Sequence, residues 1–198
     1  MQRLEEDAMK MSARTYTYAD YEKWEDDGKR WELIDGVPYM MAGPSTEHQR
    51  MVMEFSIAFG SYLKGKKCEV FASPIDVRLN FDKGDNTVVQ PDLVIVCDKE
   101  KIDKKGIKGA PDIVIEVISP SSIRMDRVTK YKKYQKYGVK EYWIVNTTER
   151  AIEVHVLENE KYAIDNVYTV GDILKTEILE EFELNLTDVF GELPEDEE

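Results

Sequence analysis

The sequence predicts a mixed α/β fold of the α+β type, in which helices flank a central mixed β-sheet. Between residues 112 and 146 a strand, a helix and a second strand follow one another, and such a unit is expected to be parallel with a right-handed crossover. The segment before it, residues 69–96, contains only strand-like runs. Consecutive strands favour a mixed sheet over a doubly wound parallel one.

Length and composition bound the domain organisation. With 198 residues the chain is long enough for one domain with its own core and too short to argue for two. We expect a flexible extension over residues 1–14, a single domain over residues 15–191 and an acidic tail over residues 192–198. No apolar run approaches the roughly 18 to 20 residues that span a bilayer, and no secretory signal follows Met1. These features predict a cytoplasmic protein with no membrane partner.

The sequence contains two cysteines, Cys68 and Cys97. Neither has the close Cys or His neighbours that a zinc site requires. We therefore predict no zinc site and interpret both cysteines as reduced thiols in the core.

The N-terminal part predicts a short helix, a hairpin and a long helix. A helix near residues 18–24 precedes the run RWELIDGVPYM, whose two strand-like arms are joined by Asp35-Gly36, a strong two-residue turn signal. A capping-box pattern at Thr46 and Gln49 begins the long helix, which is expected over residues 46–64. Its buried face is predicted from positions that recur at helical spacing: His48, Val52, Phe55, Phe59 and Leu63.

Strands rich in β-branched residues follow, with one helix among them. Residues 119–122 provide the N-cap of that helix, and Gly138 ends it. The predicted order is strands at 69–72, 75–79 and 88–96, a lysine-rich loop at 99–109, a strand at 112–118, the helix, strands at 141–146 and 151–157, and a C-terminal strand pair with a short helix.

The net charge of −13 argues at first against a nucleic-acid partner, but the charges are unevenly distributed. Residues 176–198 hold ten acids and no Lys or Arg, and removing these ten charges leaves −3. Residues 124–140 carry seven bases and one acid, a local charge of +6. Such a helix is either a solvated basic face or a surface that meets phosphates. Three tyrosines on it either stack on bases or pack against the sheet, and we expect packing for at least two of them: Tyr131, Tyr134 and Tyr137.

One carboxylate is set into an apolar run. In PDIVIEVISPSS, residues 111–122, Glu116 stands among Ile and Val. A lone ionised carboxylate taken out of water costs on the order of several kcal/mol, so Glu116 requires a proton, a cation or a cleft. Asp112 shares its face but lies roughly 13 Å away at about 3.3 Å per residue, which is too far to share an ion. The partner must come from another strand.

Asp92, in PDLVIV at residues 91–96, is the natural second acid. An acid at the head of one strand and an acid near the end of the next can meet at the edge of a sheet. Two carboxylates, together with water and phosphate oxygens, form the ligand set that Mg²⁺ takes. The sequence therefore predicts that Asp92 and Glu116 bind Mg²⁺, with Mn²⁺ as an alternative.

Five motifs follow one another along the chain. They are WELIDG at 31–36, PDLVIV at 91–96, PDIVIEVISPSS at 111–122, the series Asp126, Lys130 and Tyr134 on the following helix, and GVKEYWIV at 138–145. In this order they resemble the PD-(D/E)XK nuclease superfamily and, within it, a widespread bacterial family of proposed restriction endonucleases. The resemblance implies a restriction-endonuclease-like fold and Mg²⁺-dependent phosphodiester hydrolysis. It places the first acid of the superfamily motif at Asp92 and the second at Glu116.

One position departs from the superfamily pattern. The superfamily places a lysine two residues after the second acid, where this chain has Ile118. A helix that runs back along the strand at about 1.5 Å per residue brings its second or third turn beside the strand. In the related bacterial family that this chain resembles, the lysine lies on that helix. The resemblance therefore implies that Lys130 is the lysine of the site. Asp126 lies one turn before Lys130 and is expected to orient it. Six other bases share the segment, so a solvated Lys130 remains an alternative.

Three further residues are candidates for the site. Glu32 matches the N-terminal acidic motif of the related family, which implies a further carboxylate at the metal; a cross-strand partner in the hairpin is the alternative. His48 is either a satisfied core histidine, the commoner outcome, or a contact to a base or phosphate. Gln90 lies two residues before Asp92 on the same face and is a candidate for the surroundings of the ligands.

The leading hypothesis is a metal-dependent endonuclease that acts on DNA. Asp92 and Glu116 bind Mg²⁺, Lys130 positions the attacking water, and Glu32 assists. An acidic protein needs a basic face to bind DNA, and the segments at 124–140 and 99–108 are expected to supply it, in a homodimer.

Two other hypotheses remain. The first is a nuclease-fold binding or assembly module that lost catalysis with the change to Ile118. The second is an unrelated acidic interaction protein, in which Glu116 meets no more than a surface lysine. The direction of Lys130 relative to the acids distinguishes the enzyme from the inactive module.

Overall fold

The computed structural model describes residues 14–25 and 28–191. The extension expected at residues 1–14 lies outside the described residues except for Arg14, and so does the tail expected at residues 192–198. The described residues form layers around a central mixed sheet, which confirms the predicted fold class. None of the helices in the two described ranges has the length and apolar character needed to cross a bilayer.

The first half of the domain combines short strands with one long helix. Its elements are α1 (Tyr18–Tyr21), β1 (Trp31–Ile34), β2 (Val37–Met40), α2 (Thr46–Leu63), β3 (Glu69–Ala72), β4 (Val77–Arg78), β5 (Val88–Val89), β6 (Leu93–Val96), a 3₁₀ helix (Lys99–Lys101), β7 (Ile102–Asp103) and β8 (Gly106–Lys108).

The second half contains the predicted strand-helix-strand unit and the C-terminal strands. Its elements are β9 (Ile113–Ile118), a π-helical turn (Met125–Lys130) that continues into α3 (Tyr131–Tyr137), β10 (Glu141–Asn146), β11 (Ala151–Glu158), β12 (Lys161–Thr169), β13 (Ile173–Lys175), β14 (Glu183–Asn185) and α4 (Leu186–Phe190).

The central sheet has six strands in the order β12-β11-β10-β9-β6-β3. β9 and β10 are parallel, and every other neighbouring pair is antiparallel. The sheet is therefore mixed, as predicted. The π-helical turn and α3 form the crossover between the two parallel strands.

Both faces of the central sheet are covered. On one face α2, α4 and the β13–β14 pair pack against apolar side chains of β6, β9, β10 and β11. On the other face lie α3 and a second six-stranded sheet in the order β2-β1-β5-β4-β8-β7. Burial on both sides explains why β6 and β9 consist of Val, Ile and Leu apart from Glu116.

The predicted hairpin is formed by β1 and β2, with Ile34 opposite Val37. Asp35 and Gly36 both have positive φ, 51° and 80°, as a type I′ turn requires. A Cβ atom on Gly36 would lie 2.2 Å from Cγ2 of Thr15, so the close approach of the preceding segment also requires glycine. The turn conformation thus accounts for both residues, and the close approach of Thr15 is a further reason for Gly36.

The long helix is confirmed as α2, but its N-cap lies one residue before the predicted capping box. Ser45 is the N-cap, and its Oγ accepts a hydrogen bond from the backbone N–H of His48 at 3.1 Å. A hydroxyl just before the first turn reaches the third N–H of the helix in this way. The capping box predicted at Thr46 and Gln49 is therefore wrong, although the helix predicted there is present.

Three segments differ from the predicted elements. The run 88–96 forms two strands because Pro91, which has no N–H for a ladder, interrupts it. The segment 99–109 is not a loop, since it contains the 3₁₀ helix and the β7–β8 pair. β12 is absent from the predicted elements, although it pairs with β11 along its length. Most of its residues are exposed, so its sequence lacks the alternation of apolar and polar residues that predicts a strand.

Cys68 and Cys97 form a disulfide, so the interpretation of both as reduced core thiols is wrong. They stand one step beyond the pair Glu69 and Val96 of the β3–β6 ladder, which brings residues 29 apart in sequence face to face. Both are half-buried at the margin of the core. The contact depends on strand register, which no cysteine spacing reports.

Candidate active site

The antiparallel register of β6 and β9 brings the two predicted acids together. Leu93 pairs with Ile115, and one step further along this ladder Asp92 stands opposite Glu116. Side chains at opposite positions of an antiparallel pair share a face, with Cβ atoms about 4.5 to 5.5 Å apart. The register therefore places the two side chains next to each other on one face of the sheet, at the ends of their strands.

Asp92 is fixed by contacts to one carboxylate oxygen. Its Oδ2 accepts a hydrogen bond from the backbone N–H of Val117 at 2.8 Å and lies 3.0 Å from His48 Nε2. The hydrogen bond with Asp92 raises the pKa of His48. Among the described residues no donor binds Oδ1 of Asp92, so that oxygen is available to a cation or to water.

Lys130 is buried between two glutamates. Its Nζ lies 2.9 Å from Glu116 Oε1 and 2.8 Å from Glu32 Oε1, and 3% of the residue is exposed. Tyr134 donates its hydroxyl to the same Oε1 of Glu116 at 2.7 Å. Ile118, at the position where the superfamily has its lysine, packs into the apolar core instead. The ammonium group that contacts Glu116 thus comes from the helix rather than from the strand.

The turn that carries Lys130 is wider than an α-helical turn. Met125–Lys130 is π-helical, and the helix ends at Gly138, which has a φ of 86°. The wider turn buries both Asp126 and Lys130, with Oδ1 and Nζ 3.7 Å apart. Tyr142 donates its hydroxyl to the Asp126 carbonyl at 3.2 Å and ties this turn to β10. Turns of this kind are frequent at functional sites.

Glu32 joins the site from the second sheet. It is buried on β1, and its Oε1 accepts a hydrogen bond from the backbone N–H of Gln90 at 2.8 Å in addition to its contact with Lys130. The residue opposite Glu32 in the hairpin is Tyr39. The carboxylate therefore contacts the lysine of the site and not a cross-strand cation.

Burial and charge act in opposite directions on the lysine. Burial alone would lower the pKa of Lys130, but the carboxylates of Glu116, Glu32 and Asp126 raise it well above 10.5. Burial raises the pKa of Glu116 well above 4.5, with Asp126, Asp92 and Glu32 adding to the rise and Lys130 opposing it. One ammonium group among several carboxylates leaves the cluster with an affinity for a further positive charge, either a proton or a metal ion.

Two carboxylates are available for a metal ion. Among the described residues no group of three or more His, Cys, Asp or Glu side chains is arranged to hold one. Mg²⁺ is usually bound through one or two carboxylates, with waters and substrate phosphates completing its octahedron. Asp92 and Glu116 are hard oxygen donors, so their chemistry fits Mg²⁺ or Mn²⁺ and does not fit a thiolate-binding metal.

The acids and the lysine line a cleft of about 690 Å³. Its walls come from both sheets, from the start of α2 and from the segment that precedes the π-helical turn. The acidic and basic side chains that line it are Arg30, Glu32, His48, Asp92, Glu116, Asp126 and Lys130. A phosphate group in this cleft would meet the acids and the lysine together.

The contacts of three residues near the acids were not predicted from the sequence. His48 contacts Asp92, and its buried Nδ1 has no hydrogen-bond partner among the described residues. It is therefore not a fully hydrogen-bonded core histidine. Gln90 contacts Arg30 and Asp76 through its side chain. Arg30 is absent from the predicted set, and its one sequence signal is its position two residues before Glu32 on the same face.

Most of the positive charge predicted on residues 124–140 is neutralised within the fold. Four of its seven bases form ion pairs: Arg127 with Glu153, Lys130 with Glu116 and Glu32, Lys133 with Asp35, and Lys140 with Asp112. The other three are exposed, and none of the described acids pairs with them: Arg124, Lys132 and Lys136. The exposed basic face is therefore smaller than +6. The tyrosines of the helix pack against the core, as expected: Tyr131, Tyr134 and Tyr137.

Comparisons with known proteins identify the family to which the chain is similar. A family model described as "Putative restriction endonuclease", the Uma2 family, matches residues 18–187. The uncharacterised protein slr1290 of Synechocystis sp. is 27% identical over 138 residues, which are 69% of this chain and 71% of that protein. The uncharacterised protein sll1609 of the same organism is 24% identical over 164 residues, 81% of this chain and 85% of that protein.

A solved structure shares the fold. It is described as the crystal structure of a putative nuclease belonging to DUF820 from Anabaena variabilis, and it superposes with a TM-score of 0.71 over 88% of this chain and 97% of that chain. At 17% identity this likeness shows the fold alone. Because the family model extends over most of the described residues, the chain belongs to the Uma2 family of restriction-endonuclease-like proteins, within the PD-(D/E)XK nuclease superfamily.

Proposed function

We propose that this protein is a Mg²⁺-dependent endonuclease that hydrolyses phosphodiester bonds in DNA. Membership of a nuclease family supports the reaction class. The observation that carries the proposal is the position of Lys130, whose Nζ lies 2.9 Å from Glu116 Oε1 on the strand that faces Asp92. A pair of acids and a lysine in one cleft fits metal-assisted hydrolysis of a phosphodiester.

The roles follow from the contacts of each side chain. Asp92 and Glu116 would hold the metal ion, which when bound activates water and neutralises charge on the phosphate. Lys130 holds the attacking water in line and offsets the charge that develops on the phosphate oxygens. Glu32 and Asp126 are positioning residues, since they contact Lys130 Nζ at 2.8 and 3.7 Å.

His48 is a positioning residue for the first acid. Its Nε2 and the backbone N–H of Val117 both engage Oδ2 of Asp92. Two contacts to the same oxygen restrict rotation of the carboxylate. Oδ1 of Asp92 is then presented in one orientation, as metal ligands held by neighbouring groups usually are.

The proposed DNA substrate requires a basic surface on an acidic protein. The net charge is −13, and several lysines of the 99–108 segment are paired, as Lys105 is with Glu22 and Lys108 with Asp103. We propose a homodimer, because two copies on one duplex would combine their exposed bases. Such binding would weaken as the salt concentration rises, with a slope set by the number of phosphate contacts.

An inactive binding module is the second candidate function. Ile118 favours it, because the lysine of the superfamily strand is missing. The contact between Lys130 and Glu116 supports the active enzyme, since the two hypotheses differ in whether an ammonium group reaches the acids.

Cleavage of supercoiled plasmid DNA with Mg²⁺ or Mn²⁺ tests the proposal. We expect the wild type to cleave, and we expect Asp92→Ala, Glu116→Ala and Lys130→Met each to lose activity by about 100-fold or more. The matched control is Lys175→Met, which removes an exposed lysine paired with Glu183 on the C-terminal hairpin and is expected to cleave like the wild type.

Two outcomes would contradict the proposal. Equal cleavage by all five preparations would identify a contaminating nuclease. Mg²⁺ binding by the wild type without cleavage of plasmid, linear duplex or single-stranded DNA would favour the inactive module.

A further inference from the structure

Arg30 is a half-buried cation in the cleft that the proposed mechanism does not use. It lies immediately before β1 and lines the cleft together with Glu32, Asp92 and Glu116. The hydrogen bond with Asp92 raises the pKa of His48, and the charge of Arg30 opposes part of that rise, so Arg30 is within electrostatic range of the residue that contacts the first acid. None of the described carboxylates forms an ion pair with it, although the cleft is rich in acids.

Neutral oxygen atoms hold the guanidinium group in place. Nε and Nη2 of Arg30 donate to Gln90 Oε1 at 3.0 and 2.9 Å, and Nη2 also donates to Ser73 Oγ. The remaining group, Nη1, has no hydrogen bond to a described residue. The orientation of Arg30 is therefore fixed, while Nη1 remains free to donate hydrogen bonds.

The acceptor is itself oriented by a second set of contacts. The side-chain amide of Gln90 donates through Nε2 to Asp76 Oδ1 at 2.9 Å and to Tyr21 Oη at 3.1 Å. This directs the carbonyl oxygen of Gln90, and not its NH₂ group, towards Arg30. The chain of contacts from Asp76 through Gln90 to Arg30 thus fixes an arginine without neutralising it.

Two other arginines form ion pairs with carboxylates. Arg78 is paired with Asp85 and Arg127 with Glu153, so their charges are satisfied internally. A partly desolvated guanidinium with a neutral support and a free Nη1 suits a phosphate, because Nη1 can donate charge-assisted hydrogen bonds to its oxygen atoms. Arg30 lines the same cleft as the two acids, so a phosphate held there would lie in the cleft that contains them.

We propose that Arg30 binds a non-bridging oxygen of the DNA phosphodiester that is cleaved, so that the cleft has an arginine site for the substrate as well as a lysine for the water. This rests on the proposed function, because it assigns a substrate contact to the same site. Gln90 acts through Arg30 and is a positioning residue.

The test compares Arg30→Gln, Arg30→Lys and a matched control, Arg50→Gln, which removes an exposed arginine from α2. Single-turnover cleavage of plasmid DNA with Mg²⁺ is measured at saturating enzyme, and binding of a short fluorescein-labelled duplex is measured in Ca²⁺. Arg30→Gln is expected to slow cleavage by roughly 100-fold or more and to lower the slope of log affinity against log salt by about 0.9. Arg30→Lys restores the salt slope but only part of the rate, because lysine lacks the planar fork.

The control separates this role from general attraction of DNA. Arg50→Gln is expected to keep the cleavage rate within about five-fold of the wild type, and the melting temperatures of all variants verify folding. Loss of rate in Arg50→Gln equal to that in Arg30→Gln would overturn the inference, and so would a folded Arg30→Gln protein that cleaves and binds like the wild type. If the wild type cleaves no DNA, the proposed function fails, while the binding measurement still decides whether Arg30 contacts phosphate.

Discussion

Glu116 and Glu141 are both buried carboxylates on neighbouring parallel strands, and they have different surroundings. Each is 3% exposed, and burial raises the pKa of each. Glu141 accepts hydrogen bonds from Trp143 Nε1 at 2.9 Å and from the Thr176 hydroxyl at 2.7 Å. Glu116 accepts from Lys130 and Tyr134 within a cluster of other acids.

The difference shows that burial of a carboxylate does not by itself indicate a site. Glu141 is satisfied by neutral donors, and among the described residues no cation forms an ion pair with it. Glu116 lines an open cleft in which one ammonium group stands among several carboxylates. An unbalanced charge cluster that solvent can reach is expected where a charged substrate or ion binds, whereas a closed and satisfied carboxylate is part of the architecture.

The strongest way to break this comparison is to neutralise each glutamate without changing its shape. Glu116→Gln is expected to slow DNA cleavage by about 100- to 1000-fold, because the metal and Lys130 both lose a charged partner. Glu141→Gln is expected to keep the cleavage rate per folded molecule. Single-turnover rates on plasmid DNA with Mg²⁺ measure both. A loss of similar size in the two variants would mean that the contrast between them is not functional.

A second test removes the cation that distinguishes the two surroundings. Lys130→Met leaves the buried carboxylates of Glu116, Glu32 and Asp126 without their ammonium group, and losing one partner of a buried ion pair costs about 3 to 5 kcal/mol. The free energy of unfolding in urea is expected to fall by that amount near neutral pH. Lys175→Met, which removes an exposed lysine from an ion pair with Glu183, is expected to change it little.

The double variant completes that test. Adding Glu116→Gln to Lys130→Met removes one of the uncompensated charges and is expected to restore part of the lost stability. Urea unfolding that places the double variant below Lys130→Met would contradict the assignment of Lys130 as the counter-ion of Glu116.

The smallest expected effect is a pH dependence of metal binding. Because the pKa of Glu116 is raised above 4.5 in the folded protein, this carboxyl keeps a proton at pH values where an ordinary glutamate is ionised. Mg²⁺ must displace that proton, so its affinity rises as the pH rises through the folded pKa. The increase in melting temperature produced by Mg²⁺ is expected to be a few degrees larger at the alkaline end than at the acidic end of the pH range in which the protein stays folded.

Glu116→Gln and Glu141→Gln again form the matched pair for this measurement. The first is expected to abolish the pH dependence of the Mg²⁺ effect, since no proton is left to displace. The second is expected to retain it. A Mg²⁺ effect that is the same at both ends of this pH range in the wild type would show that the metal does not compete with the Glu116 proton.

Several features of the fold and the site followed from local patterns. The hairpin at Asp35 and Gly36, the helix α2 and the strand-helix-strand unit are encoded by periodicity and turn chemistry over short stretches. Asp92 and Glu116 were candidates because a carboxylate within or beside a run of Val and Ile must offset the cost of desolvation. The departure at Ile118 and the implied replacement by Lys130 came from the resemblance to a nuclease family, and the geometry agrees with it.

Other features depended on contacts between segments that are distant in sequence. Arg30 meets Gln90 across 60 residues and His48 meets Asp92 across 44, and neither pair has a spacing that a pattern could report. The disulfide between Cys68 and Cys97 is set by the register of β3 and β6. The same holds for the bases of residues 124–140, whose charge looks available until their partners on other strands are known.

Sequence alone thus decided where most of the strands and helices form and which carboxylates need an explanation, because hydrophobic periodicity and the desolvation of charge act over a few residues. Only the tertiary structure decided which cations meet those carboxylates, which bases stay exposed and that Glu141 is satisfied while Glu116 is not. Ion pairing and hydrogen bonding act over about 3 to 4 Å, and distances of that size between remote residues are determined by strand register and layer packing.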